Sequence, residues 1–253
     1  MLNIKDITVK FGGLKALENL SFTIQKNTIH SLIGPNGAGK TTLFNVITRI
    51  IKPNKGNILF NNESLLNLKS NEIIYKGITR TFQNLQLFNY MNVYENILSG
   101  YVHTFNKNSF NDKKLKLKAY DVILEISELL QIKNRLFSYP YQLSYGILKR
   151  VEIARAIVSK PSLILFDEPA AGLNNQETSE ILSILNLLKS KGKTILLVEH
   201  DMSLVMKVSD EITVINFGKK IAEGAPNEIS LNEEVINVYL GGGKNVKKNI
   251  RNK

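Results

Sequence analysis

The chain opens on an alternation of apolar and polar residues. Leu2, Ile4, Ile7 and Val9 predict an edge-type strand over 2–9, with Phe22 and Ile24 on its partner. Asn57 to Phe60, followed by Asn61-Asn62, predicts a further strand and a turn. These pieces suggest a small antiparallel sheet. A short apolar run, Ile29 to Ile33, is then followed by a glycine-rich loop and by Leu43, Phe44, Val46 and Ile47, which reads as strand, loop and helix.

Two later runs have a different pattern. Leu163-Ile164-Leu165-Phe166 and Ile195-Leu196-Leu197-Val198 are apolar at every position, as strands covered on both faces of a parallel sheet are. Between them Ile181, Leu182, Leu185 and Leu188 recur at helical spacing, which predicts a βαβ crossover. Leu115, Ala119, Val122, Ile123, Ile126, Leu129 and Leu130 also follow a helical period, after a Lys- and Asn-rich loop over about 106–114. A further stripe, Ile147, Val151, Ala154 and Val158, follows Ser144. No internal repeat is present. The reading is an α/β chain whose core spans 1–83 and 156–240, with a helical insert over 84–155 and a basic tail over 241–253.

Composition changes this picture little. The 253 residues, 43% of them hydrophobic, suffice for one large α/β domain or a core with a subdomain. There is no cysteine, so disulfides and thiolate metal sites are excluded. The N-terminus lacks a signal-peptide layout, and no apolar run approaches a membrane span, so a soluble or peripheral cytosolic protein is expected. The net charge is +11; Lys244, Lys247, Lys248, Arg251 and Lys253 supply five positive charges without a negative one, which leaves +6 elsewhere. Such a tail reads as a solvated end, or as a contact for anionic lipid or nucleic acid.

The chemistry concentrates in Gly34-Pro35-Asn36-Gly37-Ala38-Gly39-Lys40-Thr41-Thr42. Its GxxxxGK[ST] pattern, between a strand and a helix, is a phosphate-binding loop. Glycines let successive N–H groups point inward as an anion nest, and the helix adds the positive end of its dipole. Lys40 would reach the β- and γ-phosphates of ATP, and the Thr41 hydroxyl would ligate Mg²⁺. Asp167 and Glu168 end a buried strand, where open parallel sheets place ligands. Asp167 suits Mg²⁺ and Glu168 could polarise a water, although an acid pair there would serve equally as a helix cap or a surface charge. His200 follows the second buried strand and could contact a γ-phosphate. Gln83 could ligate Mg²⁺, or be an ordinary solvated amide. Ser144 would cap the following helix and leave its N–H groups free for a phosphate.

Taken together, these residues resemble the ATP-binding subunit of an ABC transporter, with the motifs in that family's order over about 1–240: phosphate loop 34–41, Gln83, signature 143–146, acidic motif 163–168 and His200. Phe11-Gly12-Gly13-Leu14-Lys15-Ala16-Leu17, Thr79-Arg80-Thr81-Phe82-Gln83-Asn84, Asp167-Glu168-Pro169-Ala170-Ala171-Gly172-Leu173-Asn174 and Glu199-His200-Asp201-Met202 are similar to the branched-chain amino acid importer group, as are Ala222–Pro226 and Val238–Gly241. The lipopolysaccharide-export ATPases share much of this pattern. The resemblance implies a P-loop NTPase (RecA-like) core with an N-terminal antiparallel β subdomain and a helical insert. It implies two ATPase subunits, in a homodimer or close heterodimer, closing head to tail on two ATP molecules. Ser144 and Gly146 of one would complete the phosphate site of the other. Phe11, otherwise a core aromatic, would stack on adenine; Glu168 would be the general base and His200 would hold the γ-phosphate. The helical insert near Gln83–Phe88 would grip a permease at the cytoplasmic face of the membrane, with Leu85, Leu87 and Phe88 as apolar contacts. An extracytoplasmic binding protein would act indirectly.

Departures from the family pattern are Ile147 in place of Gln after the signature, Asn174 in place of Asp, and Asn175 where Pro is frequent. An apolar Ile147 cannot hydrogen-bond across such a dimer, so slow but real ATP hydrolysis is expected. A soluble ATPase acting on nucleic acid or ribosomes is the competing reading of the basic charge, but such proteins often carry a second ATPase unit or a coiled-coil insert, and this chain has neither. A catalytically dead binding module is opposed by the intact Lys40, Asp167, Glu168 and His200.

Overall fold

The computed structural model describes residues 1–105 and 112–240. The basic tail over 241–253 and most of the loop expected over 106–114 lie outside the described residues. In chain order the strands are β1 (Leu2–Phe11), β2 (Leu14–Ile24), β3 (Ile29–Ile33), β4 (Lys55–Phe60), β5 (Glu63–Ser64), β6 (Ile78–Arg80), β7 (Leu163–Asp167), β8 (Thr194–Val198), β9 (Glu211–Asn216) and β10 (Lys219–Gly224). The helices are α1 (Lys40–Ile47), α2 (Val93–Tyr101), α3 (Lys113–Leu129), α4 (Tyr145–Ile157), α5 (Asn175–Ser190), α6 (Met202–Val208), α7 (Pro226–Leu231) and α8 (Glu233–Leu240). They form two compact units, residues 1–67 with the chain from Leu197 onward, and Leu68–Leu196.

In the first unit, β1 and β2 make a hairpin in which β1 runs two residues beyond the expected 2–9. Antiparallel pairing continues through β4 to β5, in the order β2-β1-β4-β5. Leu2, Ile4, Ile7 and Val9 are all buried, although two have even numbers and two odd. The register shifts between Ile4 and Ile7, where Asp6 has φ 51°. This bulge inserts one residue and returns the later apolar positions to the covered face. A second group, β10-β9-β3, joins an antiparallel pair to a parallel one. Ile33, Val205, Ile212, Val214, Ile229 and Val235 pack together there, so the C-terminal helices α7 and α8 close over the strand that leads into the phosphate loop.

The second unit contains β8-β7-β6, with β6 and β7 parallel, and β8 carries the chain back into the first unit. Leu163 to Phe166 are fully buried, as their uniform apolarity requires. Helix α5 buries Ile181, Ile184, Leu185 and Leu188; Leu182, expected in this stripe, is only half-buried because Ile184 takes the place beside Leu185. Helices α2 and α3 pack on α4. Helix α3 starts at Lys113, inside the expected loop, because Asp112 caps it by accepting the Lys114 N–H. Helix α4 is buried on more than its apolar stripe: Lys149, Arg150 and Glu152 are buried beside Val151, Ile153 and Ala154.

Candidate nucleotide site

The first unit builds the phosphate loop. All five residues of β3 are buried, which fixes where residues 34–39 begin, and α1 starts at Lys40. Gly37 and Gly39 have φ of 81° and 109°, values that side chains rarely permit. A Cβ at Gly39 would also lie 2.6 Å from the Ala16 carbonyl oxygen and 2.7 Å from Leu17 Cδ2. Ala38 N–H donates to the Pro35 carbonyl at 3.1 Å and closes the turn. The buried Lys40 ammonium donates to the carbonyls of Gly34 at 2.6 Å and Pro35 at 3.1 Å, so its charge is held inside the loop. No acidic residue occupies the first turn of α1, so the helix's positive end is not offset by a carboxylate of that turn. These features fit a polyphosphate. Asn36, Gly37 and Thr41 are exposed, and Gly39 and Thr42 half-buried.

Phe11 ends β1 and is 50% exposed, which separates it from the core aromatics such as Phe44. His200 is exposed one residue after the buried Glu199, whose carboxylate accepts the His200 backbone N–H at 3.2 Å. Asp201 then caps α6 through the N–H groups of Ser203 and Leu204. Those bonds, the Ser203 hydroxyl first, hold its carboxyl below the usual range.

The second unit gathers the acidic motif. Asp167 is buried at the end of β7 and pairs with Arg80, Nη2 to Oδ2 at 2.7 Å. Its backbone N–H reaches the Thr81 hydroxyl at 3.4 Å. Glu168 follows at φ 49°, a left-handed conformation that turns it out of the strand direction. The Gln83 amide donates to Glu168 Oε2 at 3.0 Å. Two residues singled out separately in the sequence therefore touch, although 85 positions separate them. Among the described residues, no cluster of three or more His, Asp or Glu side chains is placed to hold a metal. A Mg²⁺ ion at Asp167 would thus take most of its oxygen ligands from phosphate and water, as this cation commonly does.

Ser144 occupies the cap position of α4 in extended backbone, at φ −67° and ψ 158°, but its hydroxyl makes no cap hydrogen bond. The expected side-chain cap is therefore corrected: Ser144 is exposed and its hydroxyl bonds no amide of the helix, so only the backbone marks the helix start. Gly146 lies in the first turn, against the Glu177 carboxylate; a Cβ there would sit 2.8 Å from Glu177 Cδ. Glu177 itself closes a capping box with Asn174 at the head of α5. Ile147 is half-buried.

Residues 82–91 expose Phe82, Phe88, Tyr90 and Met91, while Leu85 and Leu87 are half-buried. Asn96, fully buried on α2, holds this segment. Its side chain accepts from Phe88 N–H and donates to the carbonyls of Phe88, Met91 and Asn92. Sequence reasoning missed Asn96, Glu177, Glu199 and the pairing of Arg80 with Asp167. An Asn inside a helical stretch was the available signal for Asn96.

Comparison with known proteins places this geometry. A family model described as "ABC transporter" matches residues 17–171. The chain is 40% identical to the high-affinity branched-chain amino acid transport ATP-binding protein LivG of Escherichia coli K12, over 95% of this chain and 98% of that protein. The chain belongs to the ABC transporter family. The BraF protein of Pseudomonas aeruginosa, of the same description, is 38% identical to this cassette over the same shares. A model described as "Branched-chain amino acid ATP-binding cassette transporter" matches residues 219–245. Among solved structures, the ADP conformation of an ATP-binding cassette of an ABC transporter superposes with TM-score 0.85 at 32% identity, covering 95% of this chain and 98% of that one. A dimeric post-hydrolysis cassette bound to ADP and Pi gives TM-score 0.76 at 27% identity over 89% and 99%. The fold is the α/β ABC ATPase cassette.

Proposed function

We propose that this chain is the ATP-hydrolysing subunit of an ABC transporter that powers uptake of branched-chain or related amino acids. The observation that supports the catalytic part best is the hydrogen bond between the Gln83 amide and Glu168 just beyond β7. In this reading the loop 34–42 binds the phosphates, Lys40 neutralises the β- and γ-oxygens, and Phe11 stacks on the adenine. Glu168 is the general base, with its carboxylate oriented by Gln83, and His200 holds the γ-phosphate. Thr41, Gln83 and Asp167 are the residues to hold Mg²⁺, which neutralises developing charge on the phosphates when bound. Ser144 and Gly146 serve the nucleotide of a second cassette.

The amino-acid cargo is supported by the relatives' names and by the match over 219–245. Residues 84–155 act as the helical arm that meets the permease, with Phe88 and Tyr90 among its apolar contacts, and an extracytoplasmic binding protein delivers the substrate. Among the described residues no helix is long and apolar enough to cross a membrane, which suits a subunit held peripherally at the cytoplasmic face. The test is to isolate the tagged chain from membranes, identify its partners, and measure leucine-stimulated ATP hydrolysis in proteoliposomes. Co-isolation with a permease and hydrolysis abolished by Glu168→Gln are expected. An active chain without membrane partners, or a Glu168→Gln form of full activity, overturns the reading.

A further inference from the structure

Helix α4 carries charges where they are costly. Lys149 and Glu152 are 1% and 3% exposed, and their side chains approach to 3.6 Å, Nζ to Oε2. Removing two charges from water is expensive, and mutual attraction repays it only when the remaining polar atoms also find partners. Here both do, on one stretch of main chain outside α4. Lys149 Nζ donates to the Gln83 carbonyl at 3.2 Å, and the Phe82 backbone N–H donates to Glu152 Oε1 at 3.4 Å. One helical turn further, Arg155 stands beside Glu152 and over the Phe88 ring, 5.8 Å from its centroid. Positions 149, 152 and 155 lie three apart and so share one face of α4. That face grips the segment 82–88 at three places.

The next contact in the chain is the one to Glu168. Gln83 is exposed, and an exposed amide has several rotamers; what restricts it is its own main chain. With the Gln83 carbonyl and the Phe82 N–H both held, its side chain donates to Glu168 Oε2 at 3.0 Å. We infer that Lys149 and Glu152 are positioning residues, a buried pair on the signature helix that fixes the main chain at Phe82–Gln83 and, through the Gln83 amide, sets the Glu168 carboxylate. They act through Gln83 and touch no reacting atom. The inference rests on Glu168 as general base for its catalytic consequence, but the clamp on the main chain stands apart from that role.

The test uses the full chain with Lys149→Met, Lys149→Arg, Glu152→Gln and the paired Lys149→Met/Glu152→Leu. The paired form keeps the site filled without leaving a lone buried charge, should the single variants fold poorly. In Lys149→Met, kcat should fall about tenfold, the worth of one charge-assisted hydrogen bond, with KM for ATP and the dissociation constant of a fluorescent ATP analogue within about twofold. Lys149→Arg should restore most of kcat. With Gln83 already changed to Ala, adding Lys149→Met should change kcat less than about twofold, because the route to Glu168 is gone. Hydrogen exchange should accelerate at Phe82–Asn84 while β7 stays protected. Undiminished kcat, equal losses in ATP affinity and kcat, or additive effects in the Gln83→Ala background overturn the route to Glu168. Unchanged exchange at Phe82–Asn84 overturns the clamp. A wild-type chain that hydrolyses no ATP defeats the catalytic reading instead, and the exchange result then decides the clamp alone.

Discussion

A graded series of glycine substitutions tests the phosphate loop. Gly13→Ala places a methyl where nothing lies within 4 Å and where φ is not positive, so stability should be unchanged. Gly37→Ala also meets no atom within 4 Å, but its φ of 81° is one that alanine resists. That strain alone should cost about 1–2 kcal/mol. Gly39→Ala combines a φ of 109° with a Cβ 2.6 Å from a backbone oxygen and 2.7 Å from Leu17 Cδ2. The oxygen belongs to β2 and cannot swing aside, so overpacking adds about 1–3 kcal/mol to the strain. The sum, about 2–5 kcal/mol, is a large part of an ordinary domain's stability. The loop should relieve it by moving out of its turn, carrying Lys40 off the Gly34 and Pro35 carbonyls. Thermal unfolding should show no shift for Gly13→Ala, a small drop for Gly37→Ala, and a drop of roughly 5–15 °C for Gly39→Ala at about 2–4 °C per kcal/mol. Titration with a fluorescent ATP analogue should show at least tenfold weaker binding for Gly39→Ala, equivalent to about 1.4 kcal/mol. A Gly39→Ala protein with wild-type unfolding temperature and ATP affinity would refute both the clash and the assignment of the loop.

Glu168→Gln should lower kcat by about two to four orders of magnitude in a steady-state phosphate-release assay while ATP still binds, and comparable loss of affinity would contradict the assigned role. Acid should destabilise the chain through His30. This side chain is fully buried, bonded through Nε2 to the Thr213 hydroxyl at 2.8 Å and stacked on Phe22. Burial, with Lys220 nearby, pushes its pKa down to about 4 from an ordinary 6.5. The unfolded chain therefore takes up the proton first. The contribution is complete above about pH 6.5, declines as pH falls and is gone near pH 4, a loss of about 3 kcal/mol. Glu211, whose Oε2 lies 3.3 Å from His30 Nδ1 and whose carboxyl is held above its usual range by burial, also changes charge in acid, so urea midpoints are compared between the parent and His30→Gln; equal pH slopes would remove His30 as the cause. Asn96→Ala should release residues 88–92 and reduce co-isolation of the membrane partner at least fivefold on affinity beads, with basal ATP hydrolysis unchanged.

The parts readable without a structure were those written in neighbouring residues. The loop 34–41 needs only glycines and Lys40 between a strand and a helix, and each requirement acts within a few positions. The uniformly apolar run 163–166 announces coverage on both faces, because any polar side chain there would be buried without partners. The burial of β1 was only partly legible: two even and two odd apolar positions reveal a parity change but not the bulge at Asp6 that produces it. Ser144 marked a helix start correctly and its hydrogen bonding wrongly, since a hydroxyl rotamer depends on its surroundings.

Local sequence thus supplied the candidate site residues of this cassette: the phosphate loop, the acidic pair, Gln83, the signature and His200, with the strands and helices that present them. Tertiary structure alone decided who meets whom. Gln83 and Glu168 are 85 residues apart, Arg80 and Asp167 are 87, and Lys149 and Gln83 are 66. Pairings at such separations are paid for by burial of the strands and helices between them, and no periodicity in the sequence encodes that sum. The charged face of α4 shows the difference. Read as a helix, Lys149 and Glu152 are a solvent-facing pair at i and i+3. Only the tertiary fold buries them and leaves the main chain at Phe82 and Gln83 to satisfy them.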